Sequence, residues 1–195
     1  SVLTMVKHFP GGGPQEFGLD PHLPSGKRQV YPGNNFDYHL RPFKNAIDNG
    51  LKVIMPYYGI PIDQTDDNVA MGFNRAILTD LLRNELGFMG VVCTDWGIIS
   101  NRPWGVENLS IKERYKKSLD AGVDQYGGES EPQYILDLVR EGAISEARID
   151  LSVRRILTNT FDLGLFEIAL VDELALGSLI NSETHIRDGL EAQRK

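Results

Sequence analysis

One short segment of the sequence joins an apolar run to a carboxylate and a large aromatic side chain. It reads Val91-Val92-Cys93-Thr94-Asp95-Trp96-Gly97, and its β-branched start is typical of a buried strand. A charge at the end of such a strand needs partners or water, which indicates a pocket where Asp95 does chemistry. Trp96 offers a flat apolar face of the kind on which a sugar ring rests. We therefore interpret Asp95 as a nucleophile that acts on a glycoside.

A second polar pair, Lys7 and His8, follows the first apolar run of the chain. These side chains supply hydrogen-bond donors and local positive charge, which suit sugar hydroxyls and an adjacent carboxylate. On these residues alone another interpretation stays open, in which the lysine lies in solvent and the histidine bonds to backbone.

Composition excludes several other classes of partner and site. The chain has 195 residues, of which 41% are hydrophobic, a formal net charge of -7 and one cysteine, Cys93. The negative charge argues against nucleic acid or an anionic membrane as a partner, and one cysteine rules out an intrachain disulfide. Residues 11–13 lack the Gly-Lys-Ser/Thr of a phosphate loop, and the acidic turn 63–67 does not follow an EF-hand. We expect no cofactor and no metal, and we expect Cys93 to be a buried, inert thiol.

Strand and helix patterns alternate along the chain. We predict four strands from short apolar runs, at residues 2–6, 52–55, 90–93 and 122–124. Helical periodicity predicts helices at residues 36–49, 73–86, 110–119, 133–140 and 145–161. This alternation implies parallel strands with helical crossovers, in a doubly wound sheet or a barrel. In a barrel, the carboxyl ends of the strands hold the active site. For Asp124, at the end of the fourth strand, we predict a structural hydrogen-bonding role.

The segment 11–35 is long for a connection inside a compact domain, and it carries Asp20 and His22. Loops of this length are usually functional or disordered. We predict an ordered lid over the strand ends.

Several segments, in order along nearly the whole chain, resemble glycoside hydrolase family 3, which contains β-glucosidases, β-xylosidases and related exo-acting enzymes. They are Lys7-His8-Phe9-Pro10-Gly11, Val53-Ile54-Met55-Pro56-Tyr57-Tyr58, Leu78-Thr79-Asp80-Leu81-Leu82-Arg83, the segment from Gly87 to Gly97, Ala121-Gly122-Val123-Asp124, and the closing segment from Arg154 to Glu167.

The resemblance implies an α/β fold, namely the second half of a (β/α)8 (TIM-type) barrel with the start of a connector to a missing α/β sandwich domain. A full barrel takes ~250 residues, and the sequence shows four strand-helix units, so we interpret the chain as a fragment. Residues 1–167 would form the partial catalytic barrel. Residues 168–195 would form the connector and the first helix of the next domain, capped by Asn181 or Ser182.

The resemblance also implies roles for residues. Asp95 would be the nucleophile of a retaining mechanism, with a second carboxyl group ~5–5.5 Å away as acid and base. The implied substrate is a β-linked oligosaccharide or glycoside that is cleaved at its terminal non-reducing sugar. The implied substrate-binding residues are Lys7, His8, Met55, Tyr58 and Trp96.

The resemblance leaves the acid/base open. In most of the family it is a glutamate on the second domain, which would lie beyond Lys195. The bacterial β-N-acetylglucosaminidases instead use an Asp-x-His pair on the loop after Lys-His-Phe-Pro-Gly, and Asp20-Pro21-His22 stands on that loop at a longer spacing. Trp96 after the nucleophile favours a β-glucosidase. Three hypotheses remain: a β-glucosidase, a β-N-acetylglucosaminidase with His22 as acid/base, and a non-catalytic sugar-binding fragment. Localisation and oligomeric state stay unknown.

Overall fold

The computed structural model describes residues 2–167 and 173–195. The chain divides into two compact units, Ser1–Asn159 and Thr160–Lys195. The predicted connector starts at residue 168, and its residues 168–172 lie outside the described part. Within residues 2–167 and 173–195, every helix is too short or too polar to cross a membrane.

Short parallel strands form the sheets of the first unit. They are β1 (Met5–Phe9), β2 (Arg28–Gln29), β3 (Val53–Pro56), β4 (Ile60–Pro61) and β5 (Val91–Val92). The main sheet has the order β1-β3-β5, and β2 pairs with β4 in a second, two-stranded sheet. Ile54 of β3 lies beside Val6 of β1 and Val92 of β5. The predicted α/β fold with parallel strands is therefore confirmed.

The first strand begins at Met5, three residues later than predicted, and ends at Phe9. Its register with β3 places Lys7 beside Met55, so Lys7 and His8 lie within the strand rather than after it. The predicted first strand is therefore present, but its bounds of 2–6 were wrong because apolar character alone does not fix where backbone pairing begins.

The fourth predicted strand, at residues 122–124, is absent from the described structure. Gly122 ends a helix in the left-handed conformation, with a φ of 115°, and so delays the extended backbone. The chain reaches the sheet at Gln125, which forms one parallel bridge with Cys93. This bridge extends the sheet beyond β5, on the side away from β3.

The helices lie close to their predicted positions, except α5, which falls in the predicted connector and was not predicted. They are α1 (Phe36–Asp48), a π-helix (Ala76–Glu85), α2 (Ile111–Ala121), α3 (Gln133–Arg140), α4 (Glu146–Asp162), α5 (Glu173–Leu179) and α6 (Glu183–Gln193). Ser110 forms the predicted capping box with Glu113 at the start of α2. Ser182, rather than Asn181, caps α6 through its hydroxyl.

The two faces of the main sheet have different neighbours, because successive side chains of a strand point to opposite faces. Ile54 and Val92 belong to the large apolar core that includes residues of α1, the π-helix, α2 and α3. Val53, Val91 and Cys93 form a small separate cluster. Cys93 is buried as predicted, and burial, followed by the charge of Asp95, raises the pKa of its thiol to about 11.

The loop 11–35 makes regular contacts with the rest of the first unit, and its role as a lid stays a prediction. Its β2 pairs with β4, which follows β3 after residues 57–59. Trp104 donates its indole N–H to the carbonyl of Pro21 at 2.8 Å, and Lys27 pairs with Glu107 at 2.8 Å. These contacts fasten the loop to the segment that follows Asp95 in the chain.

Candidate active site

Asp95 stands at the carboxyl end of the β5 segment with only 7% of its surface exposed. Its Oδ1 accepts a hydrogen bond from the backbone N–H of Trp96 at 2.8 Å. Its Oδ2 lies 3.1 Å from Nε2 of His8, a contact that becomes an ion pair when His8 is protonated. This contact lacks hydrogen-bond geometry, so among the described residues Oδ2 is a buried oxygen without a donor. Such an oxygen is costly for folding and available for chemistry.

The surroundings of Asp95 favour its charged form. Burial by itself raises the pKa of a carboxyl group. Contacts with His8, the Trp96 amide and Tyr58 outweigh burial and hold the pKa of Asp95 below its ordinary value. The carboxylate is therefore ionised at neutral pH, which is the form that a nucleophile needs.

Two tyrosines from the segment after β3 shape the site. The ring of Tyr57 packs on the ring of His8, with centroids 4.5 Å apart, and so holds the imidazole near Asp95. Tyr58 is buried, and its hydroxyl donates to the carbonyl of Trp96 at 2.7 Å. Burial and the charge of Asp95 raise the pKa of Tyr58 well above its usual range, so the phenol stays protonated.

Lys7 and Met55 face each other across β1 and β3. Met55 is buried. Lys7 is exposed, and its ammonium group makes no hydrogen bond or ion pair with any residue in 2–167 or 173–195. The structure thus places both residues on the strands next to β5, and it shows no ion pair between Lys7 and Asp95.

The Asp20–His22 pair lies beside this group. Nδ1 of His22 is 2.7 Å from Oδ1 of Asp20, and the backbone N–H of His22 donates to the same oxygen at 2.9 Å. These two contacts lower the pKa of Asp20. The edge of the His22 ring meets the ring of Tyr58, with centroids 4.8 Å apart. The loop 11–35 therefore brings His22 into contact with Tyr58, the tyrosine next to Asp95.

Sequence reasoning missed the segment 127–129, which supports Trp96. The indole of Trp96 is 56% exposed. Its other face lies so close to Gly127 and Gly128 that a Cβ atom there would come within 2.6 and 2.7 Å of the ring, respectively. Glycine is a signal for close approach of another group to the backbone, and the pair Gly127-Gly128 was available in the sequence.

Asp124 has the structural role that was predicted for it. Its Oδ2 accepts from Arg83 at 2.6 Å and from the backbone N–H of Val92 at 3.0 Å. Its Oδ1 accepts from Ser152 at 2.8 Å and from Arg155 at 2.9 Å. Both oxygens are therefore fully occupied, and Asp124 joins β5 to the π-helix and α4.

Known proteins share this arrangement of elements. Residues 1–159 match the family model for the glycosyl hydrolase family 3 N-terminal domain. The chain belongs to glycosyl hydrolase family 3. The probable β-glucosidase C of Aspergillus oryzae is 53% identical over 205 residues, covering 100% of this chain and 32% of that protein.

Solved structures of family 3 proteins have the same fold. A β-glucosidase from Listeria innocua is 26% identical with a TM-score of 0.75, covering 93% of this chain and 24% of that one. A β-N-acetylglucosaminidase from Paenibacillus is 27% identical with a TM-score of 0.69, covering 87% of this chain and 33% of that one. The chain spans about a third of the length of the curated family 3 relatives it matches.

The family 3 match ends at the same residue as the first compact unit, Asn159. It therefore includes Asp95, its neighbours and the loop that carries His22. The predicted domain boundary after residue 167 stays a prediction.

Proposed function

We propose that this chain is the nucleophile-bearing part of a longer retaining β-glycosidase of the β-glucosidase type, here called the parent enzyme. Residues 1–167 are proposed to be the second half of its (β/α)8 barrel, and residues 168–195 the connector and first helix of an α/β sandwich domain. The parallel order β1-β3-β5, with helices between the strands, supports this arrangement. The greater length of the matching β-glucosidases, of which this chain covers about a third, also supports it.

The proposed reaction has two steps. An oxygen of the Asp95 carboxylate attacks the anomeric carbon, the bond to the glycosidic oxygen breaks, and the acid/base gives that oxygen a proton. Water then attacks the same carbon, the ester bond to Asp95 breaks, and the acid/base takes a proton from the water. The observation that carries this proposal is the buried, ionised Asp95 carboxylate at the strand end, with one oxygen free of donors among the described residues.

The proposed substrate is a β-linked oligosaccharide or glycoside, of which the terminal non-reducing sugar is removed. Lys7 and His8 would donate to hydroxyls of that sugar, and Met55 and Tyr58 would line the same subsite. The exposed face of Trp96 would stack on the leaving group. No cofactor takes part in these steps.

Covalent trapping tests the nucleophile. The parent enzyme is treated with 2,4-dinitrophenyl 2-deoxy-2-fluoro-β-glucoside, whose ester intermediate turns over slowly, and the labelled peptide is identified by mass spectrometry. We expect the label on Asp95. Asp95→Ala should lose turnover and recover part of it with added azide, whereas Asp66→Ala, an exposed acid outside the site, should retain full activity. A label on any other residue would show that the assignment is wrong.

A second candidate function is a β-N-acetylglucosaminidase with His22 as the acid/base. The contact between the His22 and Tyr58 rings favours it, because it brings the Asp20–His22 pair to the site. In that case the parent enzyme should prefer N-acetylglucosaminides, and His22→Ala should lower turnover by about 10²–10⁴-fold, the usual contribution of a general acid/base. If the acid/base is instead a glutamate beyond Lys195, His22→Ala and the control His185→Ala should both retain most of the activity.

A further inference from the structure

The side chain of Glu129 holds the turn that follows Trp96. Its Oε1 accepts a hydrogen bond from the backbone N–H of Ile99 at 2.9 Å and from that of Ser100 at 3.1 Å. The hydroxyl of Ser100 donates to the same oxygen at 3.3 Å. Hydrogen bonds to a charged acceptor are about twice as strong as neutral ones. Glu129 therefore holds the turn 97–102 at Ile99 and Ser100, while Arg114 binds the carbonyl of Ile99.

The same segment fastens the first residue of the turn. The N–H of Gly97 donates to the carbonyl of Gly127 at 3.0 Å. The N–H of Gly127 donates in turn to the hydroxyl of Thr94 at 2.9 Å. With the indole of Trp96 seated on Gly127 and Gly128, residues 127–129 form a platform under one face of the ring. Trp96 nevertheless remains 56% exposed.

The far end of the turn reaches the buried tyrosine of the site. Arg102 donates from Nη1 to the carbonyl of Trp96 at 3.2 Å, and its guanidinium lies over the ring of Tyr58 at 5.1 Å. The N–H of Arg102 also donates to the carbonyl of Gly97. A shift of the turn would therefore move Trp96 and Arg102 together.

We propose that Glu129 is a positioning residue for the leaving-group side of the site, acting through the turn 97–102 on the exposed indole of Trp96. This inference rests on the proposed function, since it takes Asp95 as the nucleophile and Trp96 as the surface for the leaving group. Glu129 should then affect the rate of any step in which a leaving group or an acceptor sugar occupies the site. It should not affect the rate at which water attacks the glycosyl ester.

The test compares these two situations in the parent enzyme. Glu129→Ala removes the acceptor, Glu129→Gln keeps a neutral one, and Glu131→Ala is the matched control, an exposed acid two residues further on. Each variant is trapped as its 2-fluoroglucosyl ester, and reactivation is followed in water and with an added acceptor glycoside. Values of kcat/KM are measured for a β-linked disaccharide and for dinitrophenyl β-glucoside.

For Glu129→Ala we expect kcat/KM for the disaccharide and acceptor-stimulated reactivation to fall by about 10- to 100-fold, the effect of a small misplacement near a reacting centre. Reactivation in water should stay unchanged, and Glu129→Gln should recover most of the loss. Equal losses with water and with acceptor, or no loss at all, would overturn the proposal. A label outside Asp95 would instead overturn the proposed function, so the two failures are distinguishable.

Fluorescence of the 195-residue chain gives a readout that does not depend on activity. The chain has two tryptophans, Trp96 at 56% exposure and Trp104 at 7%, so acrylamide quenching reports mainly on Trp96. Glu129→Ala should raise the quenching constant, because the indole leaves its glycine platform, and Glu131→Ala should leave it unchanged. A constant equal to that of the wild type would contradict the positioning role.

Discussion

Replacing Asp124 by asparagine should destabilise the chain by about 3–5 kcal/mol, the cost of breaking a buried ion pair by removing one partner. The Asp124 side chain is fully buried and faces three guanidinium groups, at 2.6 Å from Arg83, 2.9 Å from Arg155 and 3.8 Å from Arg148. Asparagine keeps the shape of the side chain but carries no charge. The guanidinium groups would then stay largely buried without this counter-charge.

That loss is a large part of the total stability of a domain, which is about 5–15 kcal/mol. For a chain of this size, each kcal/mol shifts Tm by about 2–4 °C, so Asp124→Asn should lower Tm by about 6–20 °C. The backbone N–H of Val92 also binds Asp124. The loss should therefore include looser pairing of β5 and not only the electrostatic part.

Urea unfolding followed by far-UV circular dichroism measures this difference on the 195-residue chain. The matched control is Asp120→Asn, which removes an exposed pair with Lys116 one helical turn away and should cost at most about 0.5 kcal/mol. If Asp124→Asn cost no more than this control, the buried network would not stabilise the fold and the reasoning would be refuted.

The remaining expectations concern acid stability, the isolated chain and the loop. The pKa of Asp95 is lowered in the fold, so its carboxylate stabilises the chain above the unfolded-state pKa of about 3.9, and this contribution is lost as the pH falls through the folded-state pKa. In urea titrations at decreasing pH, Asp95→Asn should therefore lose less stability than the wild type, and parallel curves would contradict this. The 195-residue chain alone should give no turnover of nitrophenyl β-glycosides in a chromogenic assay; robust turnover would show that it contains its own acid/base. Trp104→Phe removes the donor to Pro21, so the free energy of unfolding should fall by about 1 kcal/mol and trypsin should cut faster at Lys27. Unchanged cleavage would mean that this bond does not hold the loop.

Local signals predicted the elements well. Ser110 and Glu113 stand at capping-box spacing, and the helix begins there. Apolar runs marked β3 and β5 to within a residue or two. These signals succeed because a cap or a strand pattern depends on neighbours in the chain.

Features set by distant partners were harder to predict. The start of β1 depends on its register with β3, and the apolar residues before Met5 gave no indication of it. The link from Glu129 to Ile99 and Ser100 joins positions about thirty residues apart. The residues next to either end of that link give no sign of it, because an acid that follows a glycine pair, as Glu129 does, is also typical of a turn exposed to solvent.

Asp95 and Asp124 each follow an apolar run of the sequence, but the fold gives them different partners. Each poses the problem of placing a carboxylate in a largely buried position. Asp124 has donors on both oxygens, including two arginines, and no oxygen left over for a reaction. Asp95 has the Trp96 amide on Oδ1, while Oδ2 lies 3.1 Å from Nε2 of His8 and accepts no hydrogen bond of good geometry from the part of the chain that the structure describes. The surroundings thus stabilise the charge of Asp95, while its Oδ2 accepts no hydrogen bond from residues 2–167 or 173–195. This difference in partners supports the proposal that Asp95, and not Asp124, is the nucleophile.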